Sequence, residues 1–156
     1  MADDTLTNFR KVNRYVAVRN RQYSVSEPFA KERGFSLSEL LALVALHFDE
    51  FGNPSEGCTQ REMVARENLT KQTASAIVKS FHQRGWVRLD EDPNDRRCKI
   101  IRLTDEGRAA TTPVVEEFVE RWNAAVGGLS DEEYRQLMIG MGRLADLVDE
   151  SFSGAL

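Results

Sequence analysis

The sequence predicts a mainly α fold of the α+β class, a single domain with one short β-ribbon set among helices. Three observations predict it. Apolar residues recur at helical spacing over most of the 156 residues. Ser/Thr followed three residues later by Glu marks three helix starts: Ser36/Glu39, Thr59/Glu62 and Ser130/Glu133. One pair of short segments, Val87–Asp90 and the β-branched run that ends before Thr104, lies either side of the turn-rich run Asp92-Pro-Asn-Asp and reads as a hairpin.

Taken in order, Leu6, Phe9, Val12 and Val16 predict a first helix from about Thr5 to just before Pro28, because proline disfavours the helical conformation of the residue preceding it. The Ser36 box opens a second helix, Leu37 to Phe51, whose run Leu40–Leu46 is apolar enough to be buried on most sides. Gly52–Gly57 is a loop. Thr59 caps a short helix to about Arg66, Asn68 suits a left-handed turn, and Thr70 caps a helix to Arg84. Two helices joined by so short a turn form a helix-turn-helix. Gly85 stops the second one, the ribbon follows, and Thr104 starts a long helix that Gly127-Gly128 breaks. The last helix runs from Ser130 to Phe152, with Leu137, Met141, Leu144 and Val148 along one stripe.

The net charge of −4 hides a strong asymmetry. Residues 59–102 carry ten Lys/Arg against six Asp/Glu, whereas residues 104–156 carry four against eleven. A basic middle between acidic ends is the footprint of a nucleic-acid reader built into a larger body. On the helix after Thr70, one face holds Ala74, Ile77, Val78 and Phe81 and must be the core face. The opposite face centres on Gln72, Ala76, Lys79 and Gln83, flanked by Thr73, Ser75 and Ser80, and no acid occurs from Thr70 to Arg84. Short side chains permit close approach to base edges, Gln72 has the donor–acceptor pair that adenine matches, and missing acids remove repulsion from phosphate. Thr70 and Lys71, at the helix N-terminus, suit phosphate. A ribbon with the basic tip Arg96, Arg97 and Lys99, joined to such a helix, is the wing of a winged helix-turn-helix, with a lobe over about 37–103.

The run Gly85-Trp86-Val87, seven residues, Asp95-Arg96-Arg97, six residues, Thr104, two residues, Gly107 resembles the signature of the multiple-antibiotic-resistance regulator (MarR) family. Phe81-His82 departs from the family's usual aliphatic residue followed by a small or acidic one, which is a packing change. The resemblance implies a homodimeric bacterial transcription factor, usually a repressor, that loses DNA when a small molecule or an oxidant acts on it. It implies dimerisation helices at about 5–30 and 104–152 and a pseudo-palindromic double-stranded operator. It also implies that Arg97 reaches the minor groove with Asp95 orienting its guanidinium, while Arg96 and Lys99 hold phosphates. Effector pockets in relatives lie between the dimerisation helices and the DNA-binding lobe, in residues too variable to transfer.

The remaining expectations concern absences. No apolar run approaches a membrane span and the acidic start lacks a signal-peptide layout, so a cytoplasmic location is expected. His47 and His82 have no ligand-spaced partners, so no metal or cofactor is expected. Catalytic motifs are missing, which argues against an enzyme. Cys58 and Cys98 each stand alone and read as incidental thiols, although Cys98 on the wing is placed where its modification would disturb binding. The competing reading is a winged helix that docks on another protein and has no operator. The acid-free helix face argues against that reading.

Overall fold

A computed structural model describes residues 2–93, 95 and 97–154, with side chains from Thr7 onward. The described elements are α1 (Ala2–Glu32), α2 (Leu37–His47), β1 (Cys58–Thr59), α3 (Gln60–Glu67), α4 (Lys71–Gln83), β2 (Val87–Glu91), β3 (Lys99–Leu103), α5 (Asp105–Gly127) and α6 (Asp131–Phe152). The chain divides into two compact units, residues 1–115 and 116–156, with α5 crossing the division. The mainly α, α+β class is thus the one observed. No described helix is long and apolar enough to cross a membrane.

All three predicted capping boxes form, each with its serine or threonine oxygen accepting the N–H three residues on and the glutamate reaching back to the cap N–H. Two helix ends and one strand differ from the sequence reading. Helix α1 does not stop before Pro28 but runs through it to Glu32. Proline removes only its own N–H bond and crowds one turn. That cost is offset because the next turn is anchored: Phe29 and Ala30 are buried, and the Arg33 guanidinium lies 3.7 Å over the Phe29 ring. The helix then closes with Phe35 N–H donating to Ala30 O (3.0 Å) and Gly34 N–H to Lys31 O (3.1 Å). The Leu6 side chain, part of the expected α1 stripe, lies outside the described residues.

Helix α2 ends at His47, four residues before the expected Phe51, because Asp49 captures the chain for a turn. Its carboxylate accepts the Asn53 side-chain amide at 3.1 Å and the N–H groups of Asn53 and Phe51, both at 2.8 Å, and these bonds, the Asn53 amide foremost, hold the Asp49 carboxyl below the usual carboxylate range. The third difference is an extra strand. The ribbon is not two-stranded: β1 pairs antiparallel with β3, Cys58 opposite Ile101, giving the order β1-β3-β2. Gly57 makes this pairing possible. Its φ of +115° and the 2.6 Å that would separate an added Cβ from Ile101 O exclude any side chain.

The core of the first unit gathers Leu40, Leu43 and Leu46 from α2, Met63 from α3, Ala74, Ile77, Val78 and Phe81 from α4, and Ile101 from β3. The four α4 residues are the predicted core stripe. Arg66 closes the exposed carbonyls at the end of α2, donating to Phe48 O (2.9 Å) and Ala45 O (3.4 Å).

The junction where α4, β2 and α5 meet is held by the residues of the sequence motif. Gly85 (φ +72°) ends α4, and the Trp86 ring lies 5.7 Å from that of Phe81 and 6.0 Å from that of Phe35. Thr104 N–H donates to Trp86 O (2.9 Å) and its hydroxyl to Gly85 O (2.6 Å). The same hydroxyl oxygen accepts Gly107 N–H (2.9 Å), capping α5. Gly107 itself rests on the Trp86 backbone so closely that an added methyl would run into the Trp86 carbonyl. Gly107→Ala is therefore expected to destabilise the protein by about 2–3 kcal/mol, the cost of overpacking a filled junction. Denaturant titration checks this, and a midpoint equal to wild type would contradict it.

A buried polar link joins α2 to α5. His47 Nε2 lies 2.8 Å from Thr111 Oγ1, and the Thr111 hydroxyl donates to Gly107 O (2.7 Å), so it accepts the proton carried on Nε2. Burial, with Arg108 nearby, lowers the His47 pKa to about 4. The fold thus keeps the neutral ring, and the unfolded chain binds the extra proton below pH 6.5. This contribution is complete above pH 6.5 and is lost as pH falls towards 4. Between pH 7.5 and 5 it removes about 2 kcal/mol of stability. Urea titrations at the two pH values should show His47→Gln losing about 2 kcal/mol less than wild type, and equal losses would refute the assignment.

Candidate nucleic-acid interface

The turn between α3 and α4 sets the direction of α4. Asn68 takes the left-handed conformation (φ 50°, ψ 40°) that its sequence position suggested, and Leu69 N–H returns to Val64 O at 3.2 Å. Thr70 then caps α4, its hydroxyl oxygen accepting Thr73 N–H at 3.0 Å and lying 2.8 Å from the Thr73 hydroxyl. Burial of Ala74, Ile77 and Phe81 turns the other face outward. Lys71, Gln72, Ser75, Ala76 and Lys79 are exposed and Thr73 is half-buried. Gln60 on α3 donates to Lys71 O (3.2 Å), tying the start of α4 to the preceding helix.

The wing is the β2–β3 hairpin, in register from Val87↔Leu103 to Glu91↔Lys99. Its tip is a turn organised by Asp95. One carboxylate oxygen accepts Arg97 N–H at 3.0 Å, the other lies 3.5 Å from Cys98 Sγ, and Cys98 N–H donates to Asp95 O at 2.9 Å. Among the described contacts Asp95 therefore holds Arg97 by its backbone amide, which leaves the guanidinium free. Arg96 lies outside the described residues. Lys99 is present at the tip but paired across the strands, its Nζ 3.1 Å from Glu91 Oε1.

The ten cations of residues 59–102 now separate by role. Arg66 caps α2, Arg84 stacks 4.8 Å over Trp86 and lies 3.9 Å from Glu39, and Arg88 and Arg102 share Asp90. Among the described residues, Arg61, Lys71, Lys79 and Arg97 carry no ion pair. Arg61, in the first turn of α3, was not singled out in the sequence. It lines, with Arg97 and Lys99, a cleft of about 340 Å³ floored by Val78, Leu89 and Ile101. Its exposed place beside a capping box was the available signal, but only the tertiary arrangement of α3 against the wing brings it to Arg97.

Neither thiol is activated. Burial pushes Cys58 up to about 11, and the adjoining Asp95 raises Cys98. Both are free cysteines. Both stay protonated at neutral pH, which disfavours attack on an oxidant.

Comparison with known proteins agrees with this geometry. The sequence model of the MarR family matches residues 34–97, from the end of α1 through the wing tip. The HTH-type transcriptional regulator PecS of Dickeya dadantii (strain 3937) is 36% identical over 76 residues, covering 49% of this chain and 46% of that protein. The chain thus spans about half the length of that curated relative. Among solved structures, a MarR family regulator from Neisseria meningitidis superposes with a TM-score of 0.75 over 94% of this chain and 99% of the other, at 20% identity. MepR of S. aureus, solved as a DNA complex, gives a TM-score of 0.64 at 18% identity, covering 86% and 94%. At these identities the two structures establish the shared fold.

Proposed function

We propose that this chain, whose winged-helix segment belongs to the MarR family, is a sequence-specific double-stranded-DNA-binding transcriptional regulator that acts as a homodimer. One observation carries the reading. The outward face of α4 holds short polar side chains and no acid, and the unpaired cations among the described residues of 59–102, Arg61, Lys71, Lys79 and Arg97, lie on or beside that face and the wing tip. Cations bound to partner carboxylates are neutralised at the surface, whereas unpaired ones are available to phosphate. In this reading α4 enters the major groove, with Gln72 reading a base edge and Thr73, Ser75 and Ala76 allowing close approach. Thr70, Lys71 and Lys79 meet the backbone, and Arg97 reaches the adjoining minor groove, with Arg96 and Lys99 on flanking phosphates. Asp95 supports Arg97 by shaping its turn. Lys99 has to leave Glu91 to take part, and an exposed pair of that kind is worth at most about 1 kcal/mol.

The dimer reading rests on apolar side chains that single-chain folding leaves outside. Phe9 and Val12 on α1 are exposed, as are Leu137, Met141, Leu144 and Val148 along one stripe of α6. Trp122 is partly exposed as well, whereas Phe118 is buried. A two-fold dimer would present two α4 helices to a pseudo-palindromic operator, with half-sites about one helical turn apart. Repression released by a small molecule follows if that ligand favours a different separation of the helices. The raised thiol pKa values make a small molecule the better signal than an oxidant.

Two measurements check this reading. Light scattering at micromolar concentration is expected to give about twice the 17.7 kDa chain mass, and a strictly monomeric species would sink the dimer assignment. Genomic-fragment selection with the purified protein supplies the operator for the second. Binding to it should weaken steeply from low to moderate salt. Arg97→Ala should cost about 1–3 kcal/mol on the operator and its single-base variants alike, whereas Gln72→Ala should relax preference at one base pair per half-site. Salt-independent binding, or both variants behaving as wild type, would refute the assignment of α4 and the wing.

A further inference from the structure

The sheet face away from the core holds a cationic arrangement that the DNA-binding reading does not use. Arg88 and Arg102 stand directly opposite each other in the β2–β3 register. Like charges in that relation destabilise a sheet. Both place Nε on one and the same carboxylate oxygen, Asp90 Oδ2, at 3.0 Å and 3.1 Å. Arg108, in the first turns of α5, brings a third guanidinium to the same place, at the helix end where a cation is electrostatically unfavourable. Among the described residues it carries no ion pair. The three arginines, with Ser55, Glu56 and Leu103, line a cavity of about 190 Å³.

The acids in and beside this cavity are fewer than the cations. Asp90 is shared between two arginines. Glu56 is tied to Arg102 at 3.8 Å by a side chain that is 97% exposed. Arg102 Nη1 also donates to the Glu56 backbone carbonyl, a contact that does not involve the Glu56 carboxylate. Removing Glu56 from the cavity leaves three guanidiniums against the single charge of Asp90. That balance suits one dianion, and the volume admits only a small one.

We propose that the cavity lined by Arg88, Arg102 and Arg108 is a binding site for a small dianion, phosphate or a short dicarboxylate, which displaces the Glu56 carboxylate. Guanidinium N–H pairs match the oxygens of either ligand. Ser55 adds a hydroxyl, although its oxygen already accepts Gly57 N–H at 3.0 Å, so its remaining capacity towards a ligand is donation. The site lies on β2 and β3, the strands of the wing, and on the α5 turn beside Gly107. Occupancy would therefore draw on the same side chains that brace the wing. This last consequence rests on the DNA-binding reading, whereas the site itself does not.

The test uses the full-length protein without DNA. Isothermal titration with inorganic phosphate, and separately with malonate, should show saturable binding, with acetate far weaker. Preference for phosphate or malonate identifies the source of the dianion. Arg108→Gln, which breaks no ion pair, should weaken binding about tenfold or more, by loss of a charge-assisted contact. Glu56→Gln should tighten it up to about fivefold, by loss of the competing carboxylate. Circular dichroism confirms that both variants keep the wild-type fold. Absence of saturable binding up to millimolar anion, or affinities unchanged in both variants, overturns the proposal. So does a fall in duplex-DNA affinity for Arg108→Gln without any anion binding, since the arginines would then serve the DNA backbone. Failure of DNA binding alone would leave the anion titration standing.

Discussion

The contact between Gly107 and the Trp86 backbone is the constraint on which the arrangement of the first unit depends. It allows the first turn of α5 to sit directly on the residue that joins α4 to β2. Thr104 then spans three elements at once, closing α4 through Gly85 O, pairing with Trp86 O, and capping α5 through Gly107 N–H. With those groups satisfied inside the protein, no buried polar side-chain atom among the described residues lacks a partner. The direction of the wing relative to α4 follows from this junction, because β2 starts and β3 ends at it. Thr111 extends the same anchorage one turn further, through its hydrogen bonds to Gly107 O and His47. Helix α2 is thereby tied to α5 by a neutral histidine, a link that exists only while the ring stays out of water.

The electrostatics follow from which cations the fold consumes. A count of charges along residues 59–102 cannot distinguish Arg66, bonded to carbonyls at the end of α2, from Lys79, which faces outward from α4. Packing makes the distinction. Arginines with structural duties sit on the core side or the outer sheet face, where a carbonyl, an indole ring or Asp90 receives them. The cations left over sit on the outward face of α4 and around the wing tip. An acidic protein thus presents a locally basic surface, and the strength of that surface depends on placement more than on the net charge.

Two helical regions carry apolar surface that the single chain does not bury. In α1 the exposed side chains are interleaved with arginines and lysine, so the helix is only weakly two-faced. In α6 the apolar stripe is well separated from the charged face, with Asp131, Glu132 and Glu133 gathered at the helix start, where the dipole favours them. A helix of this kind is stable in water chiefly when its stripe is covered, since helix propensity alone contributes little over that length. This is the physical reason for expecting the functional unit to be larger than one chain.

Most of the helical framework was legible in the sequence because its signals are local. A serine or threonine three residues before a glutamate, an asparagine suited to a left-handed turn and a four-residue apolar stripe each act within a turn or two of chain. The motif from Gly85 to Gly107 was legible as a pattern, and the outward face of α4 followed from its core stripe. What the sequence could not decide is whatever depends on residues far apart in the chain. Helix α1 passes through Pro28 because burial of Phe29 and Ala30 outweighs one lost hydrogen bond. The two-residue strand β1 exists because β3 is there to pair with it, and two residues carry no periodicity of their own. Arg61 meets Arg97, and Arg88 and Arg102 meet Arg108, only after α3, the wing and α5 have packed. Local chemistry chose the elements, and tertiary packing chose which charges remain free to act.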